Sequence, residues 1–259
     1  MKRTILLVAL LALPSAFAAD MPKPDLYVIE EEVIKPGAIA AYEAAGKDFM
    51  AAFAQTKLSS PALMWNAYVT DDLHYLYVFP IANFAALDSS QGEWEKVKGA
   101  MGADRWASLE RRASDPLVSY NKFVTMRRMD LSYVPANPRL KQDEQRFTRL
   151  DFYYLVPGKD AEAEAIAKDY VALFKQKNIS EPYTIYTTVL GNDLPLLVAA
   201  IPGKSAADVT AAEERVNAAL GADVLPLQAR AMAITRRFDR REATYRPDLS
   251  HMVAAAAPK

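Results

Sequence analysis

The chain of 259 residues contains no cysteine. Disulfides, thiolate nucleophiles, cysteine-held metals and a lipid anchor on a cysteine are excluded together. Histidine is nearly as scarce, with only His74 and His251, which excludes a histidine-based metal cluster or a two-histidine haem site within one chain. Neither sign of charge dominates, Lys+Arg 31 standing against Asp+Glu 32. There is accordingly no electrostatic footprint for nucleic acid or an anionic membrane. No Gly-x-Ser-x-Gly or P-loop pattern occurs, so acyl and phosphoryl transfer have no motif here. Glu30-Glu31-Glu32 does not make a metal site by itself, because neighbours on a strand point to opposite faces.

What is present begins with an apolar run behind Met1-Lys2-Arg3, followed by Pro14-Ser15-Ala16-Phe17-Ala18. Residues 1–18 read as a secretory signal peptide cleaved after Ala18. The run is shorter than the roughly 20 residues needed to span a bilayer. A periplasmic or secreted, soluble protein is expected, with no nucleic-acid or membrane partner. Without disulfides, its stability must come from a core, and 51% hydrophobic residues can supply one.

Punctuation recurs along the chain. The same spacing separates Lys35-Pro36-Gly37 from Val156-Pro157-Gly158, Pro61 from Pro182, and the turn Asp71-Asp72 from Asn192-Asp193. Gly102-Ala103-Asp104 and Gly221-Ala222-Asp223 follow in the same order, and Arg127-Arg128 returns as Arg236-Arg237, with extra residues in the first copy around 106–116. Order and spacing together indicate an internal duplication. In each copy a strand (26–34; 147–156) runs into Pro-Gly. A helix follows, with apolar residues at Ile39, Tyr42, Gly46, Phe49 and Phe53, or Ala163, Ile166, Tyr170 and Phe174. Hairpins come next at 62–79 and 183–201. Second helices are marked by Trp94, Val97 and Met101, and by Val209, Val216 and Leu220 behind an N-cap at Ser205. Final strands are expected at 117–129 and 227–238. The order is β-α-β-β-α-β twice, with repeat 1 at 25–135, repeat 2 at 147–247 and a flexible tail at 248–259 that includes His251. Strand residues 75–79 and 194–200 are apolar on both faces, so both faces of the sheet must be covered. The expected fold class is α+β, with two ferredoxin-like βαββαβ repeats packed sheet to sheet as an intramolecular α/β barrel.

In this element order and duplication the chain resembles the dimeric α/β-barrel superfamily in a tandem fused form, nearest to the NIPSNAP and antibiotic-biosynthesis-monooxygenase groups. The resemblance covers most of the chain beyond the signal. That superfamily includes cofactor-free monooxygenases, haem-handling enzymes, isomerases and proteins of no known activity, so the resemblance implies a fold more than a chemistry.

Strand alternation sorts side chains by face. In the final strands, Arg127 and Arg236 are expected to point into the barrel, with Gln228, Arg230, Met232 and Phe123 on the same inward faces and Arg128 and Arg237 outward. In the first strands Tyr27, Ile29 and Val33, and Leu150, Phe152 and Tyr154, form the more apolar face expected to meet the helices. That leaves Glu30, Glu32, Arg149, Asp151 and Tyr153 inward. Glu30 and Asp151 occupy equivalent positions, and a buried carboxylate calls for a partner. Two readings follow. One is a self-satisfied network of ion pairs. The other is the polar end of a cavity walled by Trp65, Tyr153, Tyr186, Phe123 and Met232, in which Arg127, Arg149, Arg230 and Arg236 grip an anionic or carbonyl group and Glu30 or Asp151 moves a proton. His74 beside the hairpin turn is an ordinary turn residue on one account and a single axial haem ligand on the other; otherwise no cofactor is expected. The functional expectation is a binder of a small aromatic or anionic compound, acting as a cofactor-independent oxygenase or isomerase and compatible with a homo-oligomer. The alternative is a non-enzymatic envelope protein serving oligomerisation or partner binding.

Overall fold

The computed structural model describes residues 25–191 and 193–252. The expected signal peptide at 1–18, Asn192 of the second hairpin and residues 253–259 of the expected tail lie outside them. Along the described chain run β1 (Leu26–Ile34), α1 (Ile39–Thr56), β2 (Asn66–Thr70), β3 (His74–Ile81), α2 (Ala86–Met101), α3 (Ala103–Ser114) and β4 (Leu117–Tyr133). The same order returns as β5 (Phe147–Leu155), α4 (Asp160–Gln176), β6 (Tyr183–Leu190), β7 (Leu196–Gly203), α5 (Ala206–Leu220), α6 (Leu225–Ala233) and β8 (Thr235–Tyr245).

The strands close into an antiparallel barrel in the order β1-β3-β2-β8-β5-β7-β6-β4. Each half thus contributes a 4-1-3-2 sheet, and the halves meet edge to edge. Tyr68 pairs with Tyr245 at one seam, and Arg127 pairs with Tyr186 at the other. Closure leaves no strand edge open to other chains. The local signals act as their chemistry requires. Lys57 ends α1 in the left-handed conformation (φ 55°) with its N–H on Ala54 O. Ser205 caps α5 by accepting from the Asp208 N–H, as its position predicts.

Two sequence expectations fail here. Residues 227–233, read as strand, belong to α6, which carries Pro in its first turn. Their alternating Ala and larger residues imitate a strand, but Ala, Leu, Gln, Arg and Met all favour helix. Shortening the last strand also breaks the match between the two double arginines. Glu30 stands opposite Lys122 on β4, and Asp151 stands opposite Arg240 on β8. Lys122 and Arg240 are therefore the corresponding positions, and Arg127 and Arg236 are not. Within the expected tail, residues 248–252 are held to the core. Leu249 is buried, and His251 exchanges backbone hydrogen bonds with Trp65 at 2.8 and 3.0 Å.

Gly203 is demanded by packing. A Cβ on Gly203, at the end of β7, would lie 2.4 Å from Cγ2 of Val209, which is buried on α5. Gly203→Ala is expected to cost about 1–3 kcal/mol, the usual cost of overpacking, as read from urea unfolding. Gly92→Ala, with nothing within 4 Å of the added atom, is the control and should gain about 0.5–1 kcal/mol from helix propensity.

Candidate active site

The faces of the first strands are reversed from the sequence expectation. Tyr27, Phe152, Tyr154 and Tyr186 fill the barrel interior. The Tyr27 and Tyr186 rings meet edge-on at 6.0 Å, and Phe152, Tyr154, Leu196 and Val198 form one buried cluster. Glu31 also points inside, where Arg241 reaches it from β8 and His74 Nδ1 lies 2.7 Å away. Glu30, Glu32, Arg149, Asp151 and Tyr153 instead face the helices, where two cavities lie. The alternation was right. A more apolar face shows only that it is buried, not whether a helix or the opposite sheet buries it.

The larger cavity, about 1020 Å³, lies between β1 and β3 of the first half and helices α1, α2 and α3. One end is aromatic. Phe49 lies 6.3 Å from Trp94 and 6.1 Å from Trp106, ring centre to ring centre, and Trp65 lies 5.9 Å from Phe79. The other end is polar. Lys122 Nζ lies 2.6 Å from Glu30, the Tyr42 hydroxyl donates to Glu32, and the Tyr42 and Tyr77 hydroxyls are 2.7 Å apart. Burial pushes the Glu32 carboxyl above its ordinary value; the Tyr42 hydrogen bond offsets part of that, and the neighbouring Glu30 charge adds to it. Burial likewise raises Tyr42 and Tyr77, so both hydroxyls remain protonated near neutral pH. The result is a proton acceptor of raised basicity, chained to two hydroxyls, at the end of an aromatic slot.

The smaller cavity, about 270 Å³, lies between β5, β6 and β7 and helices α4 and α5 and holds Arg149, Asp151 and Tyr153. Asp151 is buried and receives Arg240 at 2.8 and 3.2 Å. Each acid that sequence matching placed at an equivalent position is therefore met by a cation from the directly opposite position on the last strand of its own half.

The remaining expected site residues scatter. Arg127 does face the barrel interior, 6.0 Å from the Tyr27 ring, and pairs with Asp25 at 3.1 Å. Arg236 does not: it donates to the carbonyls of Leu155 and Asp193, whereas Arg237 lies over the Tyr154 ring at 3.6 Å on the inner face. Arg230 and Met232 sit on α6, Arg230 paired with Asp169 at 2.7 Å and Met232 exposed. Trp65 belongs to the first cavity and Tyr186 to the barrel, so one wall containing both is overturned. Tyr42 and Tyr77 were missed because a tyrosine on an apolar stripe reads as core. Their signal was Glu32, one of two acids on a face of β1 that must be covered.

Neither described histidine lines either cavity. His74 has Nδ1 on Glu31 and Nε2 3.5 Å from Asp72. His251 packs against Phe53 at 4.7 Å. The residues present do not fit an axial haem ligand in either cavity. Among the described residues no group of three or more His, Cys, Asp or Glu is placed to hold a metal ion, and no helix is long and apolar enough to cross a membrane.

No family model and no curated protein matches the sequence. Solved structures do match in fold. An anthrone oxidase-like protein is 12% identical with a TM-score of 0.55, covering 88% of this chain and 93% of its own. A candidate monooxygenase from Fusobacterium nucleatum is 11% identical with a TM-score of 0.50, covering 87% and 94%. An arginine-to-alanine mutant of chlorite dismutase from Candidatus Nitrospira defluvii is 12% identical with a TM-score of 0.51, covering 88% and 93%. The chain thus shares with these structures its fold, eight antiparallel strands closed into one α/β barrel.

Proposed function

We propose that the larger cavity binds a flat aromatic compound and that the protein oxygenates it with molecular oxygen as co-reactant. On this reading the chain is exported and arose by fusion of two copies of one ferredoxin-like unit, akin to the NIPSNAP and monooxygenase groups. One observation carries the chemistry: a single cavity of about 1020 Å³ joins an aromatic slot to the Glu32 carboxyl of raised proton affinity. Its volume is at the upper end of ligand sites, roughly 300–1,000 Å³. The fold likeness to an anthrone oxidase-like protein suggests the probe, anthrone, whose methylene between two rings is acidic.

Ionised Glu32 takes a methylene proton, and the Tyr42 hydroxyl, itself 2.7 Å from that of Tyr77, is hydrogen-bonded to the carboxylate that holds it. Lys122 supplies positive charge at the polar end, where the substrate oxygen becomes an enolate. The electron-rich carbon then bonds to oxygen, Glu32 returns its proton to the peroxide so formed, and the hydroperoxide loses water with the second methylene hydrogen, so methylene plus O2 becomes carbonyl plus water. Glu32 must be ionised to act, and its carboxyl is held above the ordinary value. The acid limb of kcat/KM should therefore lie above the normal carboxylate range. Oxygen uptake with anthrone is the measurement. Glu32→Gln should lower kcat about 100-fold and remove the acid limb. Absence of turnover above the uncatalysed rate in the wild type would leave the non-enzymatic envelope role standing.

A further inference from the structure

The smaller cavity holds a second set of unspent contacts. Its wall carries two buried polar atoms with no hydrogen-bond partner among the described residues, Nε of Arg149 and the hydroxyl of Tyr183. Leaving such groups unsatisfied is costly, and a native protein does so sparingly. Both arise from one sheet face. Arg149 on β5 pairs with Ile201 on β7, and β6, which opens with Tyr183, lies on the far side of β7. Two strand spacings, roughly 10 Å, separate their backbones, and both side chains lean into the space beneath α4 and α5.

The charges lining this space are already matched. Arg149 Nη1 meets Glu213 at 2.6 Å, Arg149 Nε stands 3.5 Å from Asp151 Oδ1 without a hydrogen bond, and Arg240 holds that carboxylate at 2.8 Å. Glu181 is met by Arg139 at 2.9 Å and Arg215 at 2.8 Å. A charged ligand would enter a wall with no opposite charge to spare and would lose its hydration there. What remains available is donor capacity. The Arg149 Nε–H can only donate, and burial raises the Tyr183 hydroxyl so that it keeps its proton. Ile166, Phe174, Leu197 and Val216 supply apolar walls. We propose that this cavity is a second, separate binding site for a compact, uncharged carbonyl compound of about one ring, its oxygen taking hydrogen bonds from Arg149 and Tyr183. The proposal does not depend on the chemistry of the first cavity. A volume of about 270 Å³ fits a ligand of that size.

Acetophenone, titrated into the full chain carrying isotope-labelled methyl groups, tests the proposal. Saturable shifts are expected at Ile185, Leu197 and Val216, which line this cavity, while Ile81 and Leu87 report separately on the first. Tyr183→Phe keeps the ring packed on Phe174, 5.1 Å away, and removes only the hydroxyl. Arg149→Lys keeps the charge and removes the Nε donor. Each should weaken acetophenone about tenfold at these methyls, the scale of one buried hydrogen bond, and ethylbenzene, which lacks the oxygen, should bind the wild type about tenfold more weakly. Four results would overturn the proposal: no saturable shift at these methyls, equal binding of ethylbenzene, unchanged affinity in both variants, or tighter binding of benzoate than of acetophenone. Binding or turnover in the first cavity can fail without touching any of these readouts.

Discussion

Trp65→Ala is expected to lower the free energy of unfolding by about 3–5 kcal/mol, among the largest losses any single substitution in this chain should produce. Trp65 is 3% exposed and stands where four elements meet. Its ring lies 5.5 Å from Phe53, 5.7 Å from Trp94, 5.9 Å from Phe79 and 5.3 Å from His251. The indole N–H donates to the carbonyl of Leu249 at 2.7 Å, which ties the end of the second half onto the core of the first. Truncation removes a large apolar surface, leaves a hole beside an existing cavity, and orphans a buried carbonyl. Urea unfolding followed by circular dichroism measures it. A loss below about 1.5 kcal/mol would show that the aromatic cluster can collapse into the space. Trp94, only partly buried, should cost less when truncated, and its loss should appear mainly in aromatic ligand binding.

Trp65 also illustrates how far the sequence could be read. The order of elements was legible because Pro-Gly stops, helical stripes and hairpin turns are local signals, and local signals survive without knowledge of the partner surface. The need for cover on both sheet faces was legible too, from residues 75–79. Which cover lay on which side was not. Tyr27, Ile29 and Val33 form the more apolar face of β1, and they turn to the barrel; Glu30 and Glu32 share a face with Val28 and turn to the helices. A charged residue beneath a helix layer is tolerable here because a cavity and cross-strand cations accompany it, and neither leaves a trace in the pattern of a single strand.

The repeat itself misled at the ends of each copy. Spacing aligned Trp65 with Tyr186. Strand pairing instead sets Ala67 opposite Tyr77 and Ile185 opposite Ala199, so Tyr68 corresponds to Tyr186 and both face the barrel. A small change in loop length between copies turns a side chain to the other face, because the strand period is two. The double arginines failed for the same reason: α6 takes residues that alternation had assigned to the last strand. Candidate residues chosen by spacing were therefore divided among two cavities, the barrel interior and the surface. Glu32 was placed on one face with Glu30, but on the barrel side, and the proton-moving role was given to Glu30 or Asp151.

The barrel interior supplies the last expectation. Glu31 lies inside with 13% of its side chain exposed, between Arg241 from the second half and His74 from β3. Burial opposes its ionisation, but hydrogen bonds from His74 and Arg241 outweigh burial and hold the carboxyl at about 2, against 4.5 for an unperturbed glutamate. A depressed folded-state value means that ionised Glu31 favours the native state. That contribution is complete above pH 4.5, shrinks as the pH falls through the interval, and is gone below about 2. At 1.36 kcal/mol per pH unit, the shift corresponds to about 3 kcal/mol. Glu31→Gln should therefore be about 3 kcal/mol less stable than the wild type at pH 7, and the difference should close as both are acidified towards pH 2. Urea midpoints at pH 7, 5 and 3 measure it. Parallel curves for the two proteins across this range would show that the Glu31–Arg241 contact, which joins the first half to the second across the barrel, contributes nothing to holding the halves together.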